Sequence, residues 1–250
     1  MDSTRVGIVI LGDEVLKAEI REANLGYMLP LLNEWGAKVV LCAILPDHVP
    51  TVVRHLKSYK EETDLLILTG GIGPTPDDIT REAVARVAGV PVVLDPEAKA
   101  ALEARYPSSG APNPYRMLMA HIPQGAELIP NPVSAAPGFF IDGMAAFPGV
   151  PVILHGMFDW VRARITGKRQ ARVILFSDAP ESRYAGFMEE LMLGFQDVGI
   201  GSYPMMEGAY RVRVVFRSEE LSRAAACANA FTELLGSIGF AIASRTEEPS

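Results

Sequence analysis

The chain has 250 residues, 49% hydrophobic and 21% charged, with a formal net charge of −7 and a pI near 5.2. That balance excludes a disordered, fibrous or low-complexity chain and, at roughly 100–200 residues per domain, points to two domains. The acidic balance and the lack of a dense Lys/Arg run argue against nucleic acid as a partner; the nearest basic cluster, Arg162, Arg164, Lys168, Arg169 and Arg172, falls at the expected domain junction and reads as a solvated linker.

Residues 6–11 (VGIVIL) form a β-branched run that reads as a buried parallel strand, too short for a signal segment or a membrane span. No membrane association is expected, and Cys42 and Cys227, without a CxxC spacing, read as buried thiols of a reducing compartment, the cytoplasm. Residues 21–35 place Leu25, Met28, Leu29 and Leu32 at helical spacing, and Gly36 stops the pattern. A strand over 39–45 closes at Pro46-Asp47, a helix over 49–59 follows, and a strand over 65–69 (LLILT) runs directly into Gly70. Residues 80–88 are again helical. This alternation predicts an α/β domain with a doubly wound, mostly parallel sheet whose strand C-termini share one edge, where such folds bind ligands. Between Pro91 and Pro151 the spacing predicts a helix over 96–106, short strands over 127–129, 139–141 and 145–147, and then a helix over 157–165.

From about residue 169 the character changes. A strand over 172–177, a helix over 181–198, strands over 200–206 and 210–216, a helix over 219–235 capped by Ser218, and a strand over 240–243 give the order βαββαβ of a small α+β, ferredoxin-like domain. The expected domains are therefore 1–168 and 169–250. The second holds no cluster of catalytic residue types and is expected to be structural, at a subunit interface.

The strongest chemical signal is residues 69–80, TGGIGPTPDDIT, between a buried strand and a helix. Gly70, Gly71 and Gly73 let the backbone turn sharply and approach a ligand, and their amides, with the helix start, suit a phosphate. The segment is neither a Walker loop nor a dinucleotide fingerprint. Asp77 and Asp78 either hold a metal or a ligand hydroxyl, or one of them, or Thr80, caps the helix. At the same edge, Gly12 and Glu14 follow the first strand, Asn24 opens the next helix, and Asp47 ends the second strand; Glu14 is a metal or hydroxyl ligand or a solvated carboxylate, and Asp47 a functional group or plain turn chemistry. Convergence of Glu14, Asp47 and Asp78 would offer hard oxygen ligands to Mg²⁺ or Mn²⁺ and a general base. Residues 131–138 (NPVSAAPG) and 147–151 (FPGVP) are rigid segments that either wall a pocket or serve only turns.

Together, Gly12-Asp-Glu-Val-Leu16, Asn24, Pro46-Asp47, residues 70–80, Asn131 with Ala136-Pro-Gly138, and Pro148-Gly-Val-Pro151 resemble the MoaB/Mog molybdopterin-binding superfamily, most closely its CinA-like (competence/damage-inducible) branch. The resemblance covers about the first 155 residues, and the tail looks like the small second domain of CinA-like proteins. It implies a three-layer α/β/α sandwich, a homo-oligomer (dimer or trimer), and a phosphate-bearing nucleotide or pterin over the glycine loop. It also implies a divalent metal (Mg, Mn or Co) and hydrolysis of the pyrophosphate in ADP-ribose or a similar dinucleotide, with Asp47 and Asp78 at the functional aspartate positions and Glu14 and Asp78 as metal ligands. Ligand-binding positions carried over are Gly12, Asn24, Gly70, Gly71, Gly73, Thr75, Asp77, Thr80, Ser134, Pro148 and Gly149. The amidase domain that often follows in that branch is expected to be missing, since the sequence stops at Ser250.

The sequence departs from that pattern at Ala18 and Ser134, where glycines are usual, and at Val152-Ile153-Leu154, where a glutamate is usual. The missing carboxylate sets a second expectation beside the hydrolase: a nucleotide- or molybdopterin-binding protein that turns its ligand over poorly or not at all. On the hydrolase reading, Asp78→Ala removes turnover with little loss of stability.

Overall fold

The computed structural model describes residues 3–106 and 113–249, and the chain divides into two compact units, Met1–Gly167 and Lys168–Ser250. Unit 1 runs β1 (Arg5–Leu11), α1 (Asp13–Leu16), α2 (Asn24–Glu34), β2 (Lys38–Leu45), α3 (Val49–Glu62), β3 (Leu65–Thr69), α4 (Thr80–Ala88), β4 (Val92–Leu94), α5 (Pro96–Arg105), α6 (Pro114–Met117), β5 (His121–Pro123), β6 (Glu127–Ile129), β7 (Gly138–Ile141), β8 (Met144–Phe147), α7 (Pro151–Met157) and α8 (Asp159–Arg162). Its main sheet has the order β2-β1-β3-β8-β7-β6, with β2, β1, β3 and β8 parallel and β7 and β6 antiparallel.

Strand β1 is apolar on both sides because both sides are covered. Val6, Ile8 and Ile10 pack with Met28 and Leu32 of α2 and Leu154 of α7. Val9 and Leu11 pack with Val52 and Leu56 of α3 and Ala83 and Val84 of α4. The result is the expected three-layer sandwich with a mostly parallel sheet. The β7–β8 hairpin turns at Asp142 (φ 51°) and Gly143 (φ 77°), a pair of left-handed residues that matches strand twist. Strand β2 bounds the sheet, and its side chains alternate between packed and open. Cys42 is therefore exposed, against expectation, whereas Cys227 is buried.

Three boundaries also differ. The helix expected over 157–165 is two helices, and α7 begins earlier because Pro151 suits a first helical position. The helix expected over 181–198 is a 3₁₀ turn (Glu181–Arg183) followed by α9 (Ala185–Gly194). Ser218 ends a strand rather than capping a helix. The β4–β5 ribbon had no periodicity to announce it.

Unit 2 comprises β9 (Ala171–Ser177), α9, β10 (Gly199–Pro204), β11 (Val212–Ser218), α10 (Leu221–Ser237) and β12 (Ile242–Glu248). Its sheet order, β10-β11-β9-β12, is antiparallel throughout, the ferredoxin-like arrangement. The last strand starts later than expected because residues 238–240 terminate α10: the Gly239 amide donates to Gly236 and that of Phe240 to Leu235, with Gly239 at φ 84°. Among the described residues, no helix is long and apolar enough to cross a membrane.

Ala18 follows α1 at φ 58°, a conformation that disfavours a side chain. Ala18→Gly is expected to stabilise the protein by about 0.5–1 kcal/mol, the left-handed penalty less the added chain entropy of glycine. Thermal denaturation of the two proteins checks this; a lower midpoint for the variant would contradict it.

Candidate ligand-binding site

The parallel strands end in register: Leu11 lies beside Leu45, Ile10 beside Thr69, and Thr69 beside Phe147. The chain leaves β1 for β2 on one side and reaches β3 on the other, so a crevice opens at this switch point. The segments after β1, β3 and β8 meet there around a cavity of about 500 Å³, whose wall includes Glu14, Asn24, Gly70, Gly71, Gly73 and Asp78.

The loop between β3 and α4 is wound on the first two residues of α4. The carbonyl of Gly70 accepts from the Thr80 hydroxyl at 2.8 Å, and that of Gly71 from the Thr80 amide at 3.0 Å. The carbonyls of Ile72 and Gly73 both accept from the Arg81 guanidinium. Arg81 is 7% exposed, and burial lowers its pKa to about 10, against the opposing pull of Asp78. It stays charged at neutral pH. Asp78 holds the outer turn: its carboxylate accepts from the Gly73 amide (2.6 Å), the Thr75 amide (2.7 Å) and the Thr75 hydroxyl (2.5 Å). The Gly70 amide donates to Phe147 of β8. The amides of Gly71 and Ile72 donate to no group among the described residues, and both residues line the cavity.

Asn24 enters the opposite wall from the first turn of α2. Its side-chain amide donates to the Gly149 carbonyl at 2.9 Å and approaches the Thr69 hydroxyl at 3.4 Å, while Oδ1 is buried with no partner among the described residues. A buried acceptor left bare is costly unless something donates to it. Asn131 shapes a further wall: its Oδ1 accepts from the Val133 and Ser134 amides and its Nδ2 donates to Ser134 Oγ and the Ala136 carbonyl.

Asp47 has a different setting. Its carboxylate accepts from the Asp13 amide at 2.8 Å, and its own amide donates to Asp13 Oδ1 at 3.2 Å, which clasps the segment after β1 to the end of β2. Burial raises the Asp47 pKa, the Asp13 amide opposes that, and the charges of Glu14, Asp13 and Asp77 add to it. Asp13 moves the other way, lowered first by Lys17.

Of the residues singled out in the sequence, Glu14, Asn24, Gly70, Gly71, Gly73, Asp78, Ser134, Pro148 and Gly149 line the cavity. Gly12, Asp47, Asp77 and Thr80 do not, and Thr75 lines a neighbouring cavity behind the loop, about 320 Å³, with Arg81 and His121. The expected cluster of Glu14, Asp47 and Asp78 is not assembled, and among the described residues no three His, Cys, Asp or Glu side chains come together as a metal-holding group. The donor set makes no protein cage for a divalent metal. Among the described residues, the carboxylates on the cavity wall are Glu14, Glu22, which already accepts from the Asn24 and Leu25 amides, and the largely committed Asp78.

The glycines serve the loop itself before any ligand. Gly70 (φ 97°) and Gly71 (φ 65°) sit where side chains are strained, and a Cβ there would strike the Leu11 carbonyl or the Thr80 hydroxyl. At Gly73 it would meet the Asp78 carboxylate. Folding alone therefore requires Gly-Gly-x-Gly beside Asp78, so these glycines do not by themselves point to a ligand. Arg81 escaped the sequence reading, although it shares a helical face with Val84 and Ala85. At Val152-Ile153-Leu154, where the resemblance puts a carboxylate, α7 presents Ile153, an apolar residue, to the cavity.

Fold and site define a class. Residues 7–166 match the family described as "Probable molybdopterin binding domain", and the chain belongs to that family. Residues 171–241 match the FAD synthase middle domain. Similar proteins include a CinA-like protein of Fusobacterium nucleatum, 36% identical over 62% of this chain and 38% of that protein. A CinA-like protein of Myxococcus xanthus is 33% identical over 85% and 50%, and protein PAE0875 of Pyrobaculum aerophilum is 31% identical over 79% and 78%. The chain thus spans half or less of the length of those two CinA-like relatives. Among solved structures, the protein CinA with unknown function from Thermoplasma acidophilum superposes with a TM-score of 0.59 at 27% identity, covering 64% of this chain and 98% of that one.

Because three donors converge on its carboxylate, Asp78→Ala is expected to cost about 2 kcal/mol and to speed amide exchange at Gly73 and Thr75. Hydrogen exchange with a thermal melt checks this, and an unchanged loop would contradict the bracing role. This reverses the expectation that Asp78 is dispensable for stability. For Asp47, a raised carboxyl pKa means that the wild type loses stability as pH rises through the range just above the ordinary 3.8. Asp47→Asn keeps an acceptor for the Asp13 amide without that penalty, so it is expected to melt at or above wild type at pH 7, with the gap closing below pH 3.8. A variant clearly less stable at pH 7 would refute that reading.

Proposed function

We propose that the cavity binds a phosphate-bearing nucleotide or pterin, with a phosphate oxygen on the amides of Gly71 and Ile72 and a ligand N–H or O–H on Asn24 Oδ1. The observation that carries this reading is the pair of unpartnered amides of Gly71 and Ile72 in a loop whose carbonyls from Gly70 to Gly73 are drawn elsewhere. An acidic protein has no net charge with which to attract an anion, so fixed backbone dipoles do that work. Ile10, Val15, Ile20, Met119 and Ile153 add an apolar wall suited to a planar ring. Membership of a family described as molybdopterin-binding, and the match of unit 2 to a domain of FAD synthase, support ligands of this chemistry.

A second reading is the metal-dependent pyrophosphatase. Its supporting observation is that Glu14 and Asp78 share the cavity wall. A Mg²⁺ ion is commonly held by one or two carboxylates together with substrate phosphates, so such a metal would arrive with its ligand. Against it stand the commitment of Asp78 to the loop, the position of Asp47 off the wall, and the apolar Ile153.

Incubation with ADP-ribose, FAD and NAD, with and without Mg²⁺, Mn²⁺ or Co²⁺, separates the two when AMP release and thermal shift are followed together. The binding reading expects a ligand-dependent rise in melting temperature without metal-dependent AMP release. It also expects Asn24→Ala to weaken binding about tenfold, the worth of one hydrogen bond. Metal-dependent release abolished by Glu14→Gln would install the hydrolase instead. Neither shift nor release with any nucleotide or pterin would remove both.

A further inference from the structure

The helices of unit 2 cover one face of its sheet; on the face they leave, Val215 in the central row of Gly201, Val215, Ile174 and Thr246 is buried, while the rows to either side carry polar and aromatic groups. Val173, Leu175, Val212, Val214 and Phe216 point into the core with α9 and α10. Their neighbours along the same strands face the other way, because side chains alternate. Strand register arranges those neighbours in rows across the sheet. One row reads Tyr203, Arg213, Phe176 and Ser244 across β10, β11, β9 and β12. Another, four residues away along β11, reads Gly199, Arg217, Arg172 and Glu248. Arg172 of β9 and Arg213 and Arg217 of β11 thus share a face with one glutamate.

The face is basic although the protein is acidic. Glu248 is within ion-pair distance of Arg169 and Arg172, yet Arg172 Nε is buried without a partner among the described residues. Arg213 and Arg217 are held by a ring rather than a carboxylate: their guanidinium carbons lie 5.0 and 5.7 Å from the centre of Tyr203, and Arg217 donates to the Tyr203 hydroxyl at 2.8 Å. Tyr203 is 38% exposed. On the same face the half-buried Phe176 ring packs at a tilt of 42° against Tyr210, with centres 5.5 Å apart. The exposed Glu189, Glu190, Glu219, Glu220 and Glu233 lie on or next to the helices, alongside Arg183 and Arg223, so that side is the more acidic of the two.

We propose that this sheet face binds single-stranded nucleic acid. Tyr203 and Phe176 stand two strands apart, about 10 Å, with Arg213 between them. That spacing gives two aromatic platforms for splayed bases flanking a cation for the phosphate that joins them. Two copies of the face would set arginine against arginine. The absence of a dense Lys/Arg run was a statement about the linear sequence; the fold brings Arg172 of β9 onto one face with Arg213 and Arg217 of β11.

The test is fluorescence anisotropy of a labelled single-stranded RNA, and of the same sequence as DNA and as duplex, against the full chain. Three phosphate contacts imply a log–log salt slope near −2, roughly a fifteenfold loss between about 50 and 200 mM salt. Arg213→Glu with Arg217→Glu is expected to weaken binding at least tenfold, and Tyr203→Ala several-fold, with Arg86→Glu on α4 as an unaffected charge control. If the double variant fails to fold by circular dichroism, Arg213→Gln at its exposed position carries the same test. No binding at low salt, binding indifferent to the sheet variants, or equal affinity for duplex or for polyglutamate would overturn the proposal.

Discussion

Four consecutive carbonyls, from Gly70 to Gly73, are all taken by the first two residues of α4. That constraint organises the rest of unit 1. It needs Thr80 with no exposed surface, and it needs a charge at Arg81 buried deeply enough to lower its pKa to about 10. Burying a guanidinium is costly unless its donors are used, and here they hold the loop's outgoing dipoles. With those carbonyls drawn to one side and Asp78 gathering the amides of Gly73 and Thr75, the amides of Gly71 and Ile72 are left spare beside the cavity. The anion preference proposed for the site follows from how the loop folds.

The same constraint changes what the loop's residues mean. Asp78 and Thr80 look like catalytic or ligand groups when read as letters, and in the fold they brace. Asp47 likewise ties the segment after β1 to the end of β2. The residues left to meet a ligand are quieter: two backbone amides, one asparagine oxygen and a wall of aliphatic side chains. An arrangement of that kind suits recognition better than proton transfer.

Much of the fold was legible because hydrophobic runs reported it directly. The continuous apolar stretch at 6–11 could only be a strand covered on both faces, and the helix predicted over 80–88 has those bounds in the structure. The βαββαβ order of the tail likewise implied the antiparallel sheet that it forms. What stayed hidden depends on contacts distant in sequence. Cys42 is exposed because β2 has no outer neighbour, which no local pattern encodes. The β4–β5 ribbon is too short for a period, and the helix at 151 was masked by the Pro and Gly before it. At the site, the edge and nine of its lining positions were legible from motif and topology, but side-chain direction was not. Sequence could place Asp47 at the strand end without saying that it faces Asp13, and it could not tell glycines demanded by Leu11, Thr80 and Asp78 from glycines demanded by a ligand.

The most direct test of the central claim follows backbone amides by NMR while a nucleotide such as AMP or ADP-ribose is titrated without metal. If the loop's fold leaves two donors for phosphate, the shift changes concentrate at Gly71 and Ile72, with the Asn24 side chain responding and Gly73 and Thr75 nearly still, because Asp78 already holds them. Changes centred on Gly73 and Thr75, or on Asp47, would mean that a ligand displaces the internal bracing, and the account of the site would be wrong.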